Sequence, residues 1–104
     1  MNQELLPILT GDVLDEAIEL TLSELCQVCR VPENQVYELV AEGVVEPLNG
    51  EASHWRFQAS CVGRVHSAVQ LHQDLGINWA GAALALDLLD ELEVLRARIR
   101  RLEE

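Results

Sequence analysis

The sequence predicts a mainly α-helical chain in which a helix-turn-helix leads into a small β-hairpin wing and then a long C-terminal helix. Three observations predict it. Apolar residues recur at three- and four-residue spacing over much of the 104 positions, the period of helices with one buried face. Two such patterns meet at Val31-Pro32, and the residue before a proline avoids the helical region. An Asn49-Gly50 turn signal then separates two β-prone stretches, Val44-Val45 and Trp55-Arg56-Phe57, as in a hairpin. The chain is 49% hydrophobic, but Tyr37, Trp55, Phe57 and Trp79 are its only aromatics. An aliphatic core of this kind favours helices packed on helices.

In order, residues 1–20 alternate loosely between apolar and acidic and are expected to form an arm, either a short strand or irregular. Residues 21–76 hold the helix-turn-helix, the wing and a third helix; residues 77–104 form a terminal helix. Thr21 is a suitable N-cap, and Glu24 three positions later completes a capping box. Leu22, Leu25, Cys26 and Cys29 mark the buried face of the helix it opens. Pro32 suits the first turn of the next helix, with Glu33 at its positive end. Val36, Leu39 and Val40 are its inward stripe, and Gly43 its stop.

In the wing, Pro47 confines the first arm to a short or edge strand. Trp55 and Phe57 share a face at period two and are assigned to the core, leaving Arg56 outward. The third helix runs from about Ser60 to Leu75, with Val62, Val65, Val69 and either Leu71 or His72 inward and Gly76 closing it. Asn78 caps the terminal helix, and Trp79 beside it is assigned to the core. Leu88, Leu92, Leu95, Ile99 and Leu102 then step by 4, 3, 4 and 3, a two-heptad seam that Leu84, Leu86 and Leu89 could extend upstream. Packing of this helix on its own domain is the alternative; because the seam reaches past any core so small a domain offers, a homodimer is expected.

Charge narrows the function. The net charge is −11, and all seven basic residues are arginines. Residues 1–58 carry eleven carboxylates against Arg30 and Arg56, a balance of −9. A DNA reader needs cations on its second helix and wing, because phosphate contacts supply most of the affinity. Residues 32–43 hold Glu33, Glu38 and Glu42 and no basic residue. DNA binding is therefore disfavoured and a basic protein partner favoured. With Val36, Leu39 and Val40 inward, the outer face of this helix presents Glu33, Asn34, Tyr37, Glu38, Ala41 and Glu42. A tyrosine ringed by carboxylates suits a protein-binding anchor, with aromatic area at the centre and charge setting on-rate and orientation. A half-buried tyrosine beside a merely solvated acidic face is the alternative.

No cofactor, metal or catalytic constellation is expected. Cys26-x-x-Cys29 has no matching second pair and falls on a helix where small apolar residues are wanted. His66 and His72, six apart, do not share a helix face. There is no glycine-rich phosphate loop and no nucleophile with a base. The first residues, Met1-Asn2-Gln3-Glu4, lack the charge and apolar core of a signal peptide. No apolar run reaches the roughly 18 residues of a membrane span, and three cysteines do not make a disulfide framework. A cytoplasmic protein is expected.

The order of these elements resembles MerR-like regulators. More narrowly, the chain holds Leu22-Ser23-Glu24-Leu25-Cys26, Val44-Val45-Glu46-Pro47 after Gly43, and Trp55-x-Phe57. With them goes Gly76-Ile77-Asn78-Trp79-Ala80-Gly81 leading into Leu84, Leu86, Leu88 and Leu89. In these residues, taken in this order, it resembles the chaperone-modulator CbpM family. The resemblance implies an inhibitor of a DnaJ/CbpA-type cochaperone, one that binds the J-domain and so limits Hsp70 stimulation. A MerR-type DNA-binding transcription regulator is the alternative, and a dimeric adaptor for another basic protein is a third reading.

Overall fold

The computed structural model describes residues 18–103. The elements are β1 (Glu19–Thr21), α1 (Leu22–Cys29), α2 (Glu33–Ala41), a 3-10 turn (Ala52–His54), β2 (Arg56–Gln58), α3 (Cys61–Leu75) and α4 (Trp79–Glu103). The expected arm falls largely on residues 1–17, outside the described residues.

Helix ends follow local chemistry. Thr21 Oγ1 accepts from the Glu24 amide at 3.1 Å, while Glu24 Oε1 accepts from the Thr21 amide at 2.9 Å. Both partners of the expected capping box are thus engaged. α1 ends one residue before Val31-Pro32, where Arg30 takes a left-handed conformation with φ 59°. That shape is unfavourable for a residue with a Cβ, and it aims the chain into the tight turn before α2. At the other end of α2, the Gly43 amide donates to the Val40 carbonyl and the Val44 amide to the Leu39 carbonyl. This pair of bonds around a glycine at φ 82° is a Schellman ending. Gly76 closes α3 in the same left-handed region, and Asn78 Oδ1 accepts from the Gly81 amide at 2.8 Å to start α4.

The wing differs from the expected hairpin. The two-stranded sheet is present, but β2 pairs antiparallel with β1, Leu20 opposite Phe57. Val44 and Val45 form no strand; both are buried in the core instead. Pro47 has no amide to offer a ladder, and a single bond, Leu48 N–H to the Arg56 carbonyl at 2.8 Å, joins the two arms. The Asn49 side chain takes over the rest, donating to the His54 carbonyl and accepting from the Arg56 amide. Phe57 is fully buried, Trp55 half-buried and Arg56 exposed, as the period of two requires.

One apolar core joins both strands and all four helices: Leu20 of β1, Leu25 and Val28 of α1, Val36 and Leu39 of α2, Phe57 of β2, Val62 and Val65 of α3, and Ala82 and Leu86 of α4. In α3, Ala68 is buried while Val69 and Leu71 are half-buried and His72 is exposed. α4 leaves the core after Leu86; none of its later described residues is buried. At 1.5 Å per residue, that exposed length is about 25 Å.

Candidate partner-binding face

Val36 and Leu39 anchor α2 from below with no measurable exposure. Helical geometry then turns the six residues singled out in the sequence, Glu33, Asn34, Tyr37, Glu38, Ala41 and Glu42, toward solvent, and all six are exposed. Val40, expected inward, is only half-buried.

Two aromatic side chains flank this face, one from each side. On the wing side, Tyr37 is 42% exposed and its ring centroid lies 5.4 Å from that of Trp55. Trp55 in turn meets Phe57 edge-on at 5.8 Å. These are favourable aromatic geometries, so Tyr37 is at once braced and accessible. A cleft of about 350 Å³ opens there between α2, the start of α1 and the wing, lined by Thr21, Glu33, Tyr37, His54, Trp55 and Arg56. On the opposite side stands Trp79, which the sequence assigned to the core. It packs against the core only in part. Its ring stacks on His72 at 4.3 Å, and its indole Nε1–H donates to Glu38 Oε2 at 3.0 Å. A tryptophan buries its ring more cheaply than its N–H, and the glutamate across the α2–α4 boundary supplies the acceptor. Sequence periodicity carries no signal for this bond, since the partners are 41 positions apart.

The second candidate surface is the leucine seam. Leu88, Leu92, Leu95, Ile99 and Leu102 are all exposed, Leu102 most of all at 86%. Leu88 lies two residues beyond the buried Leu86, about 200° around the helix, so the seam faces away from the chain's own core. Arg64 of α3 fixes the helix from the other side. It donates from Nε to the Val44 carbonyl and pairs with Asp87 at 3.1 Å and Asp90 at 2.7 Å.

The cysteines lie between α1 and α3. Burial pushes the Cys29 thiol up to about 12, with Cys26 and Cys61 adding to the rise. Burial also raises Cys61, against the opposing pull of the Glu46 backbone and Arg64. Burial raises Cys26 too, helped by the nearby Glu33 carboxylate. Protonated thiols are poor nucleophiles and poor ligands. Among the described residues no three His, Cys, Asp or Glu side chains gather as a metal set. No described helix is long and apolar enough to cross a membrane.

Comparison with known proteins agrees with this architecture. A model of the MerR HTH family of regulatory proteins matches residues 20–104. A chaperone modulatory protein CbpM from Coxiella burnetii is 34% identical over 96 residues, covering 92% of this chain and 91% of the relative. Proteins of the same name from Pseudomonas entomophila and Pseudomonas putida are each 37% identical over 87 residues, 84% of this chain and 86% of each relative.

Proposed function

Because the chain belongs to the CbpM family of chaperone modulatory proteins, within the MerR-like helix-turn-helix group, we propose that it restrains a DnaJ/CbpA-type cochaperone without catalysis of its own. It binds the J-domain through the outer face of α2 and limits stimulation of the Hsp70. The observation that carries the reading is the face itself. The helix that a DNA reader would lay in a major groove presents Glu33, Glu38 and Glu42 around Tyr37, all exposed and with no cation on the helix. J-domains present a basic helix surface, and opposite fields steer such partners together. The same carboxylates repel a phosphate backbone.

In this reading the protein is a cytoplasmic homodimer. Residues 21–76 are the binding unit and residues 77–104 the dimerisation segment, joined through Leu88, Leu92, Leu95, Ile99 and Leu102. No cofactor takes part.

Calorimetric titration with a purified J-domain, beside a DNA gel shift, each at two salt concentrations, tests the proposal. Glu33 and Glu42 make no side-chain hydrogen bond or ion pair among the described residues, so Glu33→Lys with Glu42→Lys reverses charge without breaking a side-chain bond. A thermal melt checks that the variant, which loses a favourable charge at the start of α2, is folded. The double variant should bind the J-domain at least about tenfold more weakly, and added salt should weaken the wild type. Tight, specific DNA binding at physiological salt with no J-domain binding would overturn the proposal in favour of a DNA-binding regulator.

A further inference from the structure

Of the three glutamates on the outer face of α2, one is held. Glu38 Oε2 accepts the indole N–H of Trp79 at 3.0 Å, whereas Glu33 and Glu42 have no side-chain partner among the described residues. The tryptophan is held in turn. Its ring lies on His72 with the planes 26° apart. The His72 imidazole is fixed by Nδ1–H donating to the Ile77 carbonyl at 2.8 Å. The turn from Ile77 to Gly81 is tight: a Cβ at Gly81 would come within 2.7 Å of Ile77 Cγ2. A closely packed corner between α3 and α4 thus ends in one donor aimed at one carboxylate on the proposed docking face.

We propose that Trp79 is a positioning residue of the partner-binding face, holding the Glu38 carboxylate ready to meet an arginine or lysine of a basic protein partner. This rests on the reading of α2 given above and deepens it. The Trp79 bond uses Oε2 and leaves Oε1 to accept a cation's N–H. A glutamate already fixed in one orientation loses less rotamer freedom when a partner docks than a free one does. The charge-assisted bond it then forms is stronger and more directional than a neutral one. Glu38 is exposed, and its neighbours on the helix surface at spacings of three and four, Asn34, Gln35, Ala41 and Glu42, include no cation that would compete for its carboxylate.

The test is a double-mutant cycle on the full chain, with the purified J-domain of a DnaJ-type cochaperone as the probe. Trp79→Phe keeps an aromatic ring against His72 and removes the donor, and the cycle cancels whatever packing the smaller ring loses, since that loss is common to both backgrounds. In the Glu38 background it should weaken J-domain binding about threefold to tenfold. In the Glu38→Ala background the same change should alter affinity less than about twofold, because there is no carboxylate left to position. A merely structural tryptophan would lower thermal stability in both backgrounds and weaken binding equally in both, or in neither. Either pattern overturns the proposal.

A second measurement needs no change at position 79. The Trp79 indole proton should exchange with solvent faster in Glu38→Ala than in wild type, and slower in wild type once the J-domain is bound; equal rates throughout overturn it. Failure of the wild type to bind the J-domain overturns the functional reading and this inference together. Binding with no coupling between positions 38 and 79 overturns this inference alone.

Discussion

Arg64 Nη1 stands 2.7 Å from Asp90 Oδ2, and this pair links α3 to α4 at the point where the long helix leaves the core. The same guanidinium reaches Asp87 and the Val44 carbonyl. One side chain therefore ties together the end of the helix-turn-helix, the third helix and the root of the seam. The aspartates are mostly exposed, with 69% of each side chain accessible against 27% for Arg64. Solvent screens the ion pairs, and the bond to the backbone carries a larger share.

Arg64→Ala is accordingly expected to lower unfolding free energy by about 1–3 kcal/mol, read from the urea midpoint. Arg64→Lys should recover only part of that, because an ammonium lacks the planar fork that serves three acceptors at once. A midpoint unchanged in Arg64→Ala would contradict this role.

Leu92→Asp combined with Leu95→Asp should convert a dimer into a monomer in sedimentation equilibrium. Carboxylates would then fill the middle of the seam, where a partner helix would have to desolvate them. Residues 21–76 should stay folded, because α4 makes its buried contacts before residue 87. A double variant that still sediments as a dimer would place the interface elsewhere.

Cys29 predicts an alkaline limit to stability. Its thiol is raised from 9.0 to about 12, chiefly by burial. Unfolded chains lose this proton first, near the lower value, and folded ones only near the higher. The stabilisation is therefore complete below pH about 9 and is lost as pH rises through about 12. Melting temperature should fall across that window in wild type and fall less in Cys29→Ala. Identical alkaline profiles would show that another group governs the loss. In the same sense, Cys29 should react with iodoacetamide more slowly than the half-buried Cys26.

Much of this chain was legible because its signals are local. The capping box at Thr21 and Glu24, the stop at Gly43, the cap at Asn78 and the inward stripe of Val36 and Leu39 each involve residues within a turn or two of one another. The six exposed residues of α2 followed from that stripe, since fixing one face of a helix fixes the other. The wing was less legible. Val44-Val45 and Trp55-Arg56-Phe57 look like two arms of a hairpin around Asn49-Gly50. Yet a strand takes whichever edge offers unbroken amides, and Glu19–Thr21 offers one where Pro47 does not. Trp79 shows the same limit, because an apolar neighbourhood in sequence does not say where an indole N–H will find its acceptor.

The sequence by itself determined the helices, their ends and the exposure of an acidic helix face. Capping, periodicity and net charge are properties of neighbouring residues and of sums over them. Only the tertiary structure decided that β2 pairs with β1, that the leucine seam points away from the core, and that Arg64 and Trp79 bind α4 to the rest. Those contacts join residues 20 to 41 positions apart, and which distant donor meets which acceptor is settled by the packing of the aliphatic core between them.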